Sequence, residues 1–207
     1  MTSTELKNDP SYSLLLMLPH DGIFSFVQEQ FSNRTSILKG YIWLNILLMA
    51  GMVLLGMAEI WTGKTALFSI LKYLGIGTLA VLTVLIPVHE AIHGLAYKLV
   101  GAPSVSYGAN WEKYYFYAVA DRFVVKQKFF TFIALLPFVL ISLVSLTAVF
   151  FVSIELKWMF LGILFVHTTA CAGDFAMLGF YEKHRQYSEL LTFDDVKEKR
   201  SYFYVRE

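Results

Sequence analysis

Apolar and polar positions along the chain fall into long uncharged blocks separated by short polar connections. Gly40 to Ala58 carries no charge, and at about 1.5 Å of rise per residue it is long enough as a helix to cross a hydrocarbon core of roughly 30 Å. Trp61-Thr62-Gly63-Lys64 makes a tight connection. Ala66 opens a second apolar run that passes through Lys72 to Val100 and exceeds one bilayer thickness, with Lys72 near enough to its end to snorkel. Pro87 removes a backbone hydrogen bond inside this run and predicts a bent or loosened turn there. Phe129 to Ile154 is a third uncharged block, with Pro137 and small polar residues of the kind membrane helices tolerate. Trp158 to Tyr181 is a fourth, interrupted by His167 and Asp174.

The segments between and around these blocks are of a different character. Leu14 to Leu18, then Asp21-Gly22 before Ile23, Phe24, Phe26, Val27 and Phe31, predict a short amphipathic helix on the membrane surface or against the bundle. Gly101-Ala102-Pro103 stops the second block. Residues 103–125 then hold β-branched and aromatic runs, Tyr114, Tyr115, Phe116 and Tyr117 among them, between turn residues. That pattern suits a small hairpin, and equally an aromatic interfacial belt. In the polar tail, Ser201 to Val205 suits a strand. The expected architecture is an all-α integral membrane protein of about four transmembrane helices, with a short extended or hairpin segment between spans two and three. It divides into an N-terminal cytoplasmic or interfacial segment (1–39), a four-span domain (40–181) and a cytoplasmic tail (182–207).

Composition agrees with a lipid solvent. Of 207 residues 57% are hydrophobic and only 16% charged, against about a quarter charged in soluble domains. Mean hydropathy is +0.56. A net charge of +1 gives no electrostatic case for nucleic acid. The single Cys171 cannot form an internal disulfide and reads as a small packing residue. The first ten residues are polar and mixed in charge, so insertion is expected to be directed by the spans themselves.

Loop charges predict the orientation. Arg34, Lys39, Lys98, Lys113, Arg122, Lys126, Lys128, Lys183 and Arg185 flank the ends that a four-span path puts on one side. The other side has Lys64, Lys72 and Lys157 diluted by Glu59 and Glu155. The positive-inside rule makes the richer side cytoplasmic, with both termini there.

Chemistry is concentrated at Pro87 to Gly94, which reads P-V-H-E-A-I-H-G. On a helix His89 and His93 are four apart, so both imidazoles leave one face and can meet one metal ion. Glu90, beside the first histidine, is placed to act on an attacking water as a general base. This is the zincin pattern HExxH. Ionisable groups in an apolar span cost several kcal/mol unless coordinated or paired, so a structural pair of histidines is the lesser reading. Asp174 is the first candidate for a third ligand. It lies eight residues before Glu182, and His89 nine before Lys98, so both sit about 12–14 Å from the same ends of their spans. His167, seven residues before Asp174 and about 10 Å deeper on a straight helix, is expected to support the site or the fold and is the next candidate. Asp121 and Glu112 rank behind both.

With HEAIHG on one membrane helix and Ala172-Gly173-Asp174-Phe175 on a later one, the chain resembles the small bacterial zincin peptidases of the membrane. These are similar in plan to the site-2 intramembrane metalloproteases. The likeness covers roughly Ala66 to Phe180. It implies His89, His93 and Asp174 as zinc ligands, Glu90 as base, a bacterial cytoplasmic membrane, and an extended segment that holds substrate as an added strand. The site-2 pattern has an Asn-Pro context before its aspartate; here Thr168-Thr169-Ala170-Cys171-Ala172-Gly173 leads to Asp174, with no equivalent asparagine.

The expected function is a zinc metallopeptidase that cuts membrane proteins or peptides in or near the bilayer on its cytoplasmic side, with Tyr114 to Tyr117 guiding substrate. The alternative is a non-catalytic membrane protein whose structural metal site serves binding or regulation of a membrane partner. Oligomeric state has no signal in the sequence.

Overall fold

The computed structural model describes residues 1–110 and 115–207, so Glu112 and Tyr114 lie outside the described residues. The chain forms two compact units, one of Met1–Leu38, Glu90–Leu136 and Gly173–Glu207, the other of Lys39–His89 and Pro137–Ala172.

The first unit is built on a sheet, which corrects the all-α expectation: the chain is mostly helical, but not only helical. Four strands among the described residues, β1 (Ser13–Pro19), β4 (Val125–Lys126), β5 (Glu189–Asp195) and β6 (Arg200–Arg206), pair antiparallel in the order β1-β6-β5-β4. The Ser201 to Val205 strand expected in the tail is thus the middle of β6. The expectation of an amphipathic helix following Asp21-Gly22 is met by α2 (Ile23–Asn33), but Leu14 to Leu18 before it are strand. Hydrogen bonding to β6 overrides the helical reading of this leucine run, whose continuous apolarity has no period to separate the two.

Alternation across the sheet makes two cores. Leu18, Leu190, Phe203 and Val205 pack with Phe26 of α2 and with Phe180 and Tyr181 of α8 (Ala172–Lys183). Leu191, Phe193, Tyr202 and Tyr204 face the other way and cover Leu6 of α1 (Ser3–Asn8). A capping box holds the start of α1: Glu5 N–H donates to Thr2 Oγ1 at 3.2 Å and Thr2 N–H to Glu5 Oε2 at 2.7 Å.

A second, two-stranded sheet in this unit is the expected hairpin. In it β2 (Ser106–Asn110) pairs with β3 (Tyr115–Val119) from Ser106 opposite Val119 to Asn110 opposite Tyr115. Tyr117 lies across Gly108, where a Cβ would fall 2.2 Å from its ring. The glycine is there to make room for that ring.

The second unit is helical. It contains most of α3 (Ser36–Trp61), then α4 (Leu67–Ala80), a π-helical turn at Val81–Leu85, the start of α5 (Ile86–Leu99), the later part of α6 (Gln127–Ala148) and α7 (Ile154–Ala170). The α4 and α7 backbones approach closely at glycines. A Cβ on Gly77 would lie 2.3 Å from the Met159 carbonyl oxygen, and one on Gly162 3.0 Å from that of Leu74. Small residues at a helix contact are the usual route to tight packing in lipid. Glu59, only 6% exposed, accepts from Trp158 Nε1 at 2.9 Å and pairs with Lys157. Two charges read from the sequence as loop residues therefore join the end of α3 to the start of α7.

Among the described residues three helices are long and apolar enough to cross a membrane: Ser36–Trp61, the continuous Leu67–Leu99, and Gln127–Ala148. Helices α7 and α8, bent by 43°, make a fourth if the pair is one span. The loosening predicted at Pro87 appears as the π-helical turn just before it. Widening the helix there relieves the proline's missing N–H without ending the span.

Candidate metal centre

His89, Glu90 and His93 stand on one continuous helix, α5, as the spacing predicts. One donor atom from each lies within 4.8 Å of the others, as one helical turn dictates.

In the first unit, His93 Nε2 lies 3.2 Å from Asp174 Oδ1. The two side chains are 11% and 19% exposed, so the pair is largely sheltered from solvent. Asp174 is in the first turn of α8. His93 Nδ1 donates to the Ile133 carbonyl oxygen at 2.9 Å; a carbonyl can only accept, so this nitrogen carries the proton. The carbonyl is available for a reason written in the sequence. Pro137, four residues on in α6, has no N–H to give it.

This pattern tests whether a metal fits. In a neutral His93 with its proton on Nδ1, the Nε2 lone pair faces a carboxylate oxygen at 3.2 Å, and two acceptors at that distance require a cation or a proton between them. Two ligand atoms bound tetrahedrally to one zinc stand about 3.3 Å apart, given bond lengths of about 2.0–2.1 Å. The spacing and the donor set therefore fit zinc.

In the second unit, His89 Nδ1 lies 3.0 Å from His167 Nε2, and Cys171 Sγ lies 3.8 Å from that same Nε2. His167 and Cys171 are 2% and 1% exposed. His167 thus meets His89, not a solvent-facing or purely packing neighbour, and the break at Cys171 between α7 and α8 removes the straight helix on which its depth was reckoned.

The other sequence candidates are placed as follows. Asp121 Oδ1 accepts from the Val196 N–H at 2.9 Å, which commits it to the turn between β5 and β6. Tyr115, Phe116 and Tyr117 lie on β3. Sequence reasoning missed three participants: Cys171, which forms a potential ligand group with His89 and His167; the Ile133 carbonyl; and Tyr107. The Tyr107 hydroxyl occupies the place of a side chain at Gly94, where a Cβ would come within 1.9 Å of it. The Pro137 signal was present in the sequence, four residues from Ile133, and the Tyr107 contact had none.

No curated protein and no solved structure shows significant similarity to the chain. Residues 82–186, about half of its length, match one family whose description is a zincin peptidase. That stretch contains the HEAIHG turn, the Ile133 carbonyl, His167 and Asp174, and the chain belongs to this putative zincin peptidase family.

Proposed function

We propose that the chain is a membrane-embedded zinc metallopeptidase that hydrolyses peptide bonds in or near the bilayer. His89, His93 and Asp174 would hold the ion. The observation that carries this reading is the 3.2 Å approach of His93 Nε2 to Asp174 Oδ1, with His93 Nδ1 already committed to a carbonyl. Zinc held there supplies Lewis acidity, the chemistry that makes a peptide carbonyl electrophilic and a water acidic near neutral pH. Glu90 takes the proton of the attacking water as its oxygen adds to the scissile carbonyl carbon, then gives it to the nitrogen as the C–N bond breaks. With zinc on its Nε2, His89 would carry its proton on Nδ1, 3.0 Å from His167 Nε2, so that His167 holds the ring in the tautomer the metal needs. The Tyr107 contact with Gly94 sets the β2–β3 hairpin beside the motif, where its strands would guide an extended substrate.

The sheet supports four crossings. In this reading strands β1, β4, β5 and β6, which form one sheet, would share one side of the membrane, with an even number of spans between them. Counting α7 and α8 as one broken span satisfies this, with two spans before β4 and two after. By the positive-inside rule that shared side would be cytoplasmic.

Elemental analysis of the detergent-purified chain beside His93→Ala, Asp174→Ala and Glu90→Gln tests the reading. Each ligand variant should lose one zinc per chain. Glu90→Gln should keep its zinc and lose cleavage of membrane-embedded peptides. Zinc unchanged in Asp174→Ala would overturn the ligand set, and full biological function in Glu90→Gln would favour a non-catalytic metal protein.

A further inference from the structure

The second unit holds a cluster that the proposed hydrolysis does not use in full. His167 and Cys171 are four residues apart at the end of α7, so their side chains leave one helix face together. His89 meets them from α5. The three donor atoms, one from each residue, lie within 4.8 Å of one another, with separations of 3.0 Å from His89 Nδ1 to His167 Nε2 and 3.8 Å from His167 Nε2 to Cys171 Sγ. Ligands sharing one tetrahedral zinc-like ion would stand about 3.3 Å apart for two nitrogens and about 3.5 Å for nitrogen and sulfur. The cluster is within a few tenths of an ångström of both.

We infer that His89, His167 and Cys171 form a second metal site, one that takes a thiolate-preferring divalent ion. It shares no residue with the His93–Asp174 pair and takes Nδ1 of His89; should Nε2 of the same ring also bind an ion, the ring does so as an imidazolate. Binding displaces the thiol proton of Cys171, while the His89 proton passes from Nδ1 to Nε2, or leaves as well when Nε2 also holds an ion. The thiolate thus offsets at least half of the ion's charge in an apolar surrounding. Thiolate and imidazole together favour zinc, cobalt or cadmium over magnesium or calcium. The end of α7 is held in place for this role: the Tyr41 hydroxyl donates to the Thr168 and Thr169 carbonyl oxygens at 3.1 and 2.8 Å. Those are last-turn carbonyls, and capping them fixes the turn that carries both ligands.

Because Cys171 is the only cysteine in the chain, cobalt reports on it without ambiguity. The metal-stripped, detergent-purified chain is titrated with Co2+ while absorbance is followed. The expected result is two Co2+ per chain and a thiolate-to-cobalt charge-transfer band that saturates with one of them. Cys171→Ser and His167→Ala should each lose the band and one equivalent. Asp174→Ala should keep the band and lose the other equivalent. A wild-type chain that binds Co2+ with no charge-transfer band overturns the inference, and so does a band undiminished in His167→Ala. Should His167→Ala lose helical circular dichroism, His167→Gln takes its place under the same criteria. A band that persists beside unchanged stoichiometry in Asp174→Ala would sink the proposed hydrolytic site and leave this one standing.

Discussion

His93 Nδ1 lies 2.9 Å from the carbonyl oxygen of Ile133, and that carbonyl lacks its helical donor because residue 137 is proline. A helix defect in one element thus supplies the hydrogen bond that orients a histidine on another. Pro137→Ala returns an N–H to compete for the same oxygen. We expect zinc affinity to fall roughly tenfold, within the range seen when an outer-shell partner of a metal ligand is lost, while helical circular dichroism is kept. Competition with a chromophoric chelator measures it, and unchanged affinity would remove Pro137 from the site's support.

Gly94 has no room for a side chain. A methyl there would meet the Tyr107 hydroxyl at 1.9 Å and its ring carbon at 2.7 Å. Gly94→Ala should destabilise the chain by about 1–3 kcal/mol and loosen the hairpin, as overpacking does elsewhere. Thermal unfolding in detergent and amide hydrogen exchange of the paired β2 and β3 residues read the two effects. Adding Tyr107→Ala should relieve the clash and restore much of the loss, which a general helix-propensity effect would not allow.

Glu59 accepts from Trp158 and pairs with Lys157 while almost fully buried. Glu59→Ala strands the lysine and should cost about 3–5 kcal/mol, the range for removing one partner of a buried ion pair. Glu59→Leu combined with Lys157→Leu should recover most of it. Denaturation by a graded detergent mixture measures both, and equal losses in the single and double variants would rule out the pairing account.

His20, in the turn between β1 and α2, is half-buried, and its burial holds the imidazole below its ordinary value of 6.5 despite the opposing pull of Asp194. The folded state therefore binds fewer protons than the unfolded one, and stability should decline as pH falls below about 6.5. Asp194 works in the opposite sense at lower pH, since its burial raises its carboxyl above the usual 3.8. Comparing wild type with His20→Gln across pH 7 to 5 isolates the histidine's share. The advantage of the wild type over the variant should shrink as the medium is acidified, and a constant difference would contradict the assignment.

The long apolar helices are legible because long uncharged runs have few other uses: Gly40 to Ala58 lies within α3, Ser36–Trp61. HEAIHG was legible because its four-residue spacing is local to one helix. The sheet was not, for a physical reason. Ser13 pairs with Val205, a partner almost the whole chain away, and β5 and β6 bury both faces, which erases the alternation that marks a half-exposed strand. His167 was placed by counting along a straight helix, and the break at Cys171 defeats that count. Cys171 reads as packing because a lone cysteine in an apolar run usually is; one of its two cluster partners, His89, comes from another helix.

The order of strands in the larger sheet has a consequence for biosynthesis. The edge strands β1 and β4 are made early, yet neither touches the other; each must wait for the β5–β6 hairpin that lies between them. The long apolar helices that separate these strands are made while β1 and β4 are still without their partners. The hairpin that comes last along the chain then acts as a clasp, gathering two strands made before it. Loss of β6 would accordingly be felt most by β1, nearly two hundred residues earlier, leaving an apolar strand edge exposed to chaperones and proteases.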